Sequence, residues 1–255
     1  DHGVVNAGGR ISTSGLGAGE TGGTIKVHGE TIVIKDGASV DVTGTNGGGS
    51  ILIGGGWKGE RVDGHSPSVS VAVAASAKLD ASAINSGDGG KIVAWSDIRN
   101  PKSLTEFQGS VAARGGISGG NGGHIETSGN RLSVEGIRVD TSASKGQRGV
   151  WLLDPTDIEI TNTTSTSTGG TANDTITGGT STTPVIFSSS RVLGSTIESA
   201  LKNGEVIVST ELDPSDTTAG RITIGTSLTI PADRSLTLQA NIGIEGSGSI
   251  SGNGS

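Results

Sequence analysis

The chain has 255 residues, 46 of them glycine, with 17% charged side chains and a formal charge of −7. That acidity, with no Lys/Arg cluster anywhere, excludes a phosphate-tracking nucleic-acid surface; no apolar run approaches the roughly 20 residues of a membrane helix, so no membrane insertion is expected; and zero cysteine removes disulfides and thiolate metal sites together. Aromatics are 2% with no tyrosine, so a core must be stacked from Val, Ile, Leu and Ala, while the regular placing of those residues and the lack of an every-third glycine exclude a disordered tract and collagen.

The first residues, DHGVVNAGGR, carry neither the basic start nor the apolar stretch of a signal peptide, so an exported form is expected to be part of a longer chain. Five stretches then align with one another, beginning at Gly9, Ala38, Ala77, Gly109 and Gly136. Each is a short alternating strand, a small-residue turn, a glycine cluster and a second strand. The strand-opening residues Ile11, Val40, Leu79, Val111 and Val139 recur at intervals drifting between about 28 and 39 residues, the range of solenoid repeats. A further strand separates the copies, visible in TIVIKDG (31–37), SVSVAVAA (68–75) and NRLSVEG (130–136). Three strands per repeat predict one coil of a parallel β-helix, with Val40 and Val42 inward, Asp41 outward, and coils stacked about 4.8 Å apart. Glycine at each corner supplies positive φ and close backbone approach.

GDGGKIVAWSD (87–97) is therefore one copy of a repeated corner. It fails as a nucleotide loop, because Ile92 follows Lys91, Asn85 stands where the motif needs glycine, and a strand pattern rather than a helix comes next. Two longer segments, GGGWKGERVDGHSP (54–67) and SDIRNPKSLTEFQG (96–109), read as surface loops leaving the coil. Residues 1–160 thus form the regular solenoid, and 161–184, rich in Thr, Ser and Gly, form an exposed excursion. In 185–255 the solenoid continues after one short helix near 195–203. Ser195 and Glu198 predict a capping box there, Ile197, Ala200 and Leu201 share a face, and Gly204 stops it.

The stretches GGTIKVHGETIVIKDGASVDVTGTNGGGSILIGGGWKG, GDGGKIVAWSD, GGNGGHIETSGNRLSV and GVWLLDPTDIEI resemble the two-partner-secretion exoproteins of Gram-negative bacteria, the group of filamentous haemagglutinin and the high-molecular-weight adhesins. The resemblance covers residues 1 to about 160 and is looser beyond. It implies a right-handed β-helix, export by an outer-membrane transporter of the two-partner-secretion type, and adhesion or matrix building at the bacterial cell surface, in biofilm or on a host. The missing cysteines fit threading of an unfolded chain through a pore. No segment is identified as the family's N-terminal secretion domain, so transporter recognition is not assigned to these residues.

Candidate sites are few. Asp41, Asp80 and Asp140 match in three copies, with Ala112 in a fourth, which stacks Asp41 on Asp80 about 5 Å apart on an outward face. Such pairs serve glycoside hydrolases and calcium sites, but the plainer reading is a solvated, screened polar face. Trp57, Trp95 and Trp151 read as a glycan-stacking ladder or, more simply, as packing. Trp57, Trp95, Asp41 and Asp80 are accordingly the candidate glycan contacts. His2, His28, His65 and His124 lack metal-ligand spacing, no serine sits in a nucleophile elbow, and the Asp154–Pro155 and Asp213–Pro214 pairs read as turns. Neither catalytic residue, metal nor cofactor is expected. Asn162 and Asn173 match N-x-[S/T], and the resemblance implies glycosylation there in some relatives. The expectation is a non-catalytic adhesin or matrix rod whose glycan or protein ligand is open. A polysaccharide-degrading β-helix and a structural stalk are the alternatives.

Overall fold

The computed structural model describes residues 3–163, 190–210 and 219–252. Short β-branched runs separated by glycine and Asx turns form three strands per coil. The first coil holds β1 (Val4–Ala7), β2 (Arg10–Ser12) and β3 (Thr24–Val27), and the second β4 (Thr31–Ile34), β5 (Ser39–Asp41) and β6 (Ser50–Ile53). The third has β7 (Ser70–Val73), β8 (Lys78–Asp80) and β9 (Lys91–Trp95), and the fourth β10 (Leu104–Phe107), β11 (Ser110–Ala112) and β12 (His124–Gly129). The fifth has β13 (Arg131–Ser133), β14 (Arg138–Asp140) and β15 (Val150–Pro155). Strands pair in parallel with their counterparts one coil away, in the order β2-β5-β8-β11-β14 for the second sheet. The fold is a parallel β-helix, and the five aligned repeats are its first five coils. Inward side chains stack like on like: Ile25, Ile51, Ile92, Ile125 and Trp151 form one column, all buried.

Beyond β15 the order of strands departs from simple repetition. β16 (Ile158–Thr161) does not pair with β13; β17 (Ser190–Leu193) is inserted between them, giving the nine-stranded order β1-β4-β7-β10-β13-β17-β16-β19-β22. The chain continues through α1 (Gly194–Asn203), β18 (Glu205–Ser209), β19 (Arg221–Ile224), β20 (Leu228–Ile230), β21 (Leu236–Gln239), β22 (Gly243–Gly246) and β23 (Ile250–Gly252). Helix α1 packs between β14 and β20, taking a strand's place in the second face, and buries Ile197, Ala200 and Leu201 as its periodicity predicts.

Four sequence expectations need correction. No capping box forms, since the residue before α1 is Leu193 without a side-chain cap, and Glu198 Oε1 instead accepts the Thr229 N–H at 2.7 Å. Residues 104–107 are strand β10 rather than loop; Pro101 and the charges before it end in a turn, and Thr105 and Phe107 then point inward beside Val71 and Val73, with Leu104 buried on the other face. Asp154–Pro155 closes β15 instead of making a turn. Of the expected exposed excursion at 161–184, Thr161 is instead the buried last residue of β16, Asn162 and Thr163 follow it exposed, and the remainder lies outside the described residues.

The glycine corners are set mainly by close approach. A Cβ on Gly49 would lie 2.0 Å from the Gly23 carbonyl oxygen, on Gly90 1.9 Å from that of Gly49, and on Gly123 2.0 Å from that of Gly90. Positive φ in the GDGGK corner is confined to Gly87, at 88°. The amides that a phosphate would need there are already used, with Gly89, Gly90 and Lys91 donating to the carbonyls of Asn121, Ala81 and Gly49. Gly90→Ala should therefore cost about 3 kcal/mol in urea unfolding, because backbone must move. Gly37→Ala meets open space at φ 71° and should cost only about 1 kcal/mol. Equal losses would mean that backbone conformation, not stacking distance, selects glycine at the corner.

Candidate functional site

The Asp column forms as the repeats predict, with Asp41 opposite Asp80, then Ala112, then Asp140. Its carboxylates are committed locally. Asp41 Oδ1 accepts from the N–H and hydroxyl of Thr43, at 3.0 and 2.8 Å, and Asp80 and Asp140 accept from the amides of Ser82 and Ser142 at 2.9 and 3.0 Å. Arg10 pairs with Asp41 at 2.9 Å, and Arg114 reaches Asp80 at 3.3 Å and Asp140 at 3.8 Å. Each aspartate thus caps the turn after its strand, and arginine offsets the like charges of neighbouring coils.

Trp57 and Trp95 belong to a different face. Trp95 ends β9 in the third sheet and Trp57 follows β6, whereas Asp41 and Asp80 lie in the second sheet, so the four candidate glycan contacts are not brought together. Trp95 is 1% exposed and Trp151, inside the coil, is fully buried with its Nε1–H donating to Thr127 Oγ1 at 3.0 Å. Neither offers a ring face to a ligand. Asn162 is exposed just beyond β16; Asn173 lies outside the described residues.

The sequence gives less warning of where residues 54–67 go. The segment folds back over the third sheet as a strap, through a single 3-10 turn at Trp57–Gly59. The Lys58 N–H donates to Glu126 Oε2 on β12 at 2.8 Å. Trp57 meets the His124 ring edge-on at 5.6 Å, with Lys91 Nζ 5.7 Å from its centroid. At the far end Asp63 pairs with Lys26 at 2.8 Å, and His65 stacks on His28 with ring centroids 4.7 Å apart. One strap therefore touches residues of β3, β9 and β12 or directly after them. Two of its glycines are required by the indole beneath: a Cβ on Gly55 would lie 2.6 Å from Trp95 Cδ1, and on Gly59 2.9 Å from Cζ2.

Beside the strap, the second excursion starts at Ser96 and follows the same edge one coil further on. Asp97 Oδ1 accepts the Arg99 N–H at 3.1 Å, and Ser103 Oγ donates to the Asp97 carbonyl. A cavity of about 240 Å³ opens between the two segments, lined by Lys58, Arg61, Trp95, Asp97, Ile98 and Arg99 among others. Among the described residues no group of three or more His, Asp or Glu side chains is placed to hold a metal ion.

Glu126 is the residue that sequence reasoning passed over. It lies between Val93 and Leu152 in the register, faces outward, and is nonetheless fully buried. Burial pushes its pKa up to about 7, with Asp154 adding to the rise and the Lys58 amide and Ser128 hydroxyl opposing it. Ser128 Oγ lies 3.0 Å from Glu126 Oε1. Burial likewise lowers the His124 pKa, with Lys91 adding to the fall, and lowers that of His28, with His65 adding. No protein-family model matches the chain, and no curated protein is significantly similar to it.

A glutamate with a raised folded pKa binds its proton in the fold before it does in the unfolded chain. Stability from this group is fully present below pH 4.5, falls as pH rises from there to about 7, and is flat above. The span corresponds to about 3 kcal/mol. Glu126→Gln keeps an acceptor for the Lys58 amide and removes the titration. The variant should be more stable than the parent at pH 8, and the gap should close towards pH 5. A thermal-melt series in which the two proteins keep a constant difference across that range would contradict this account of Glu126.

Proposed function

We propose that the chain is a non-catalytic, rod-forming part of a secreted Gram-negative surface adhesin or matrix protein, and that it contacts host or biofilm components through the face carrying the strap. The observation that carries this reading is the placement of the two coil insertions. Both leave the solenoid at the same edge on successive coils and enclose a cavity, while the opposite aspartate face is consumed by turns and arginines. Insertions on one side of a repeat stack are the usual position of a binding face. The resemblance to two-partner-secretion exoproteins supports export of the full-length chain through an outer-membrane transporter, and the lack of cysteine is compatible with that route.

Purified protein screened on glycan and matrix-protein arrays should show saturable capture, and incubation with the captured polysaccharides should release no reducing ends. Sugar release that disappears in Asp80→Asn would make the chain a β-helical enzyme. No capture on either array would leave a spacer.

A further inference from the structure

The cavity beside the strap has a charge that the rest of the molecule does not share. In a chain of net charge −7, three cations line it, Lys58, Arg61 and Arg99, against the single carboxylate of Asp97, which already caps the Arg99 amide. Among the described residues neither Lys58 nor Arg61 has a carboxylate within ion-pair distance. Lys58 is also fixed in place: its backbone is held at φ 51° and its amide is bound to the buried Glu126. An acidic protein that gathers three cations around a concave site with one carboxylate in its wall presents a local attraction for anions against a repulsive background.

Size and wall chemistry narrow the ligand. About 240 Å³ is below the range of drug-sized pockets and admits one side chain or one sugar unit. A sugar would call for an exposed ring face, and the one aromatic in the wall, Trp95, is almost wholly covered by Gly55 and Gly59. What is open is the half-buried edge of Pro67 and Ile98, suited to the methylenes of an acidic side chain whose head meets the cations. We infer that this cavity receives the carboxylate side chain of an acidic segment of a protein partner. The inference rests on the adhesin reading only in taking that partner to be a separate molecule.

The test uses hexaglutamate as probe, with fluorescence anisotropy as readout, on the parent chain, on Arg61→Gln/Arg99→Gln, and on Lys145→Gln/Arg148→Gln. The last pair removes the same charge from the exposed turn between β14 and β15. The parent should bind, and its affinity should fall about tenfold between 50 and 300 mM salt as screening shortens the field. Arg61→Gln/Arg99→Gln, folded as judged by its circular dichroism, should lose a further tenfold or so at low salt, and the control pair should bind like the parent. The proposal is overturned by absent binding at low salt, by equal losses in the two double variants, or by tighter binding of oligogalacturonate than of hexaglutamate. Array capture of the parent that is unaffected by Arg61→Gln/Arg99→Gln would leave the adhesin reading standing and remove the cavity from it; peptide binding as expected with no array capture would do the reverse.

Discussion

Successive coils lie one hydrogen-bonded strand spacing apart, about 4.8 Å, and that distance must hold at the corners as well as along the strands. At the corners no side chain fits between levels, so each carries a glycine whose α-carbon sits against the carbonyl of the glycine below. Once the corners are fixed, registration follows. Ile51, Ile92 and Ile125 fall on one another because Gly49, Gly90 and Gly123 do. The same stacking explains the one polar inward position of β12. Thr127 lies fully buried beneath Ala94, and the indole N–H of Trp151, a coil further on, satisfies its hydroxyl. A large aromatic enters this column where it also solves a hydrogen-bonding problem.

Stacking like on like has a cost on the outer face, where identical charges are brought within one strand spacing. The aspartates tolerate it because each is turned into a cap for its own corner, and because the copy that lacks an aspartate supplies the counter-charge. Ala112 interrupts the column, and Arg114, two residues on, reaches the aspartates on both sides. These pairs are partly exposed, so each is worth about 1 kcal/mol or less. The order they impose matters more than their energy: a turn closed by its own side chain leaves the backbone of the next coil a defined template. A column of carboxylates that looks like a site from spacing alone is thus a consequence of repetition.

Period-2 alternation with glycine punctuation was enough to read the coil and its five copies, because both signals are local. Three features were not legible, each for a physical reason. β10 is hidden because its inward residues, Thr105 and Phe107, include one polar side chain and follow a charged stretch with Pro101, and only the stack above and below makes them a strand. The exchange of β16 and β17 depends on which edge is open when the chain returns, and no local pattern encodes that. The strap had a signal that alternation obscured. KIVAW and VWLLDP are apolar on both sides, the pattern of strands covered on both faces, and ILI of β6 shares it. Something had to lie over them, and residues 54–67, with glycines able to rest on an indole, are part of the answer.

Glu126 stands in the middle of that covered strip, where an apolar residue would complete the pattern set by Val93 and Leu152. A leucine there would cover the same area without desolvating a carboxylate, so burial energy does not explain the glutamate. Geometry does. The strap crosses the strands without joining a sheet, and its turn amides have no ladder to bond with; Lys58, at positive φ, has an N–H directed inward that must find an acceptor. An apolar side chain would leave that amide unsatisfied, and the strap could then settle at any of several positions along the face. A carboxylate held by Ser128 offers one acceptor at one place. Stability is thereby exchanged for position, and the position so fixed is that of Lys58 and the cavity edge beside it.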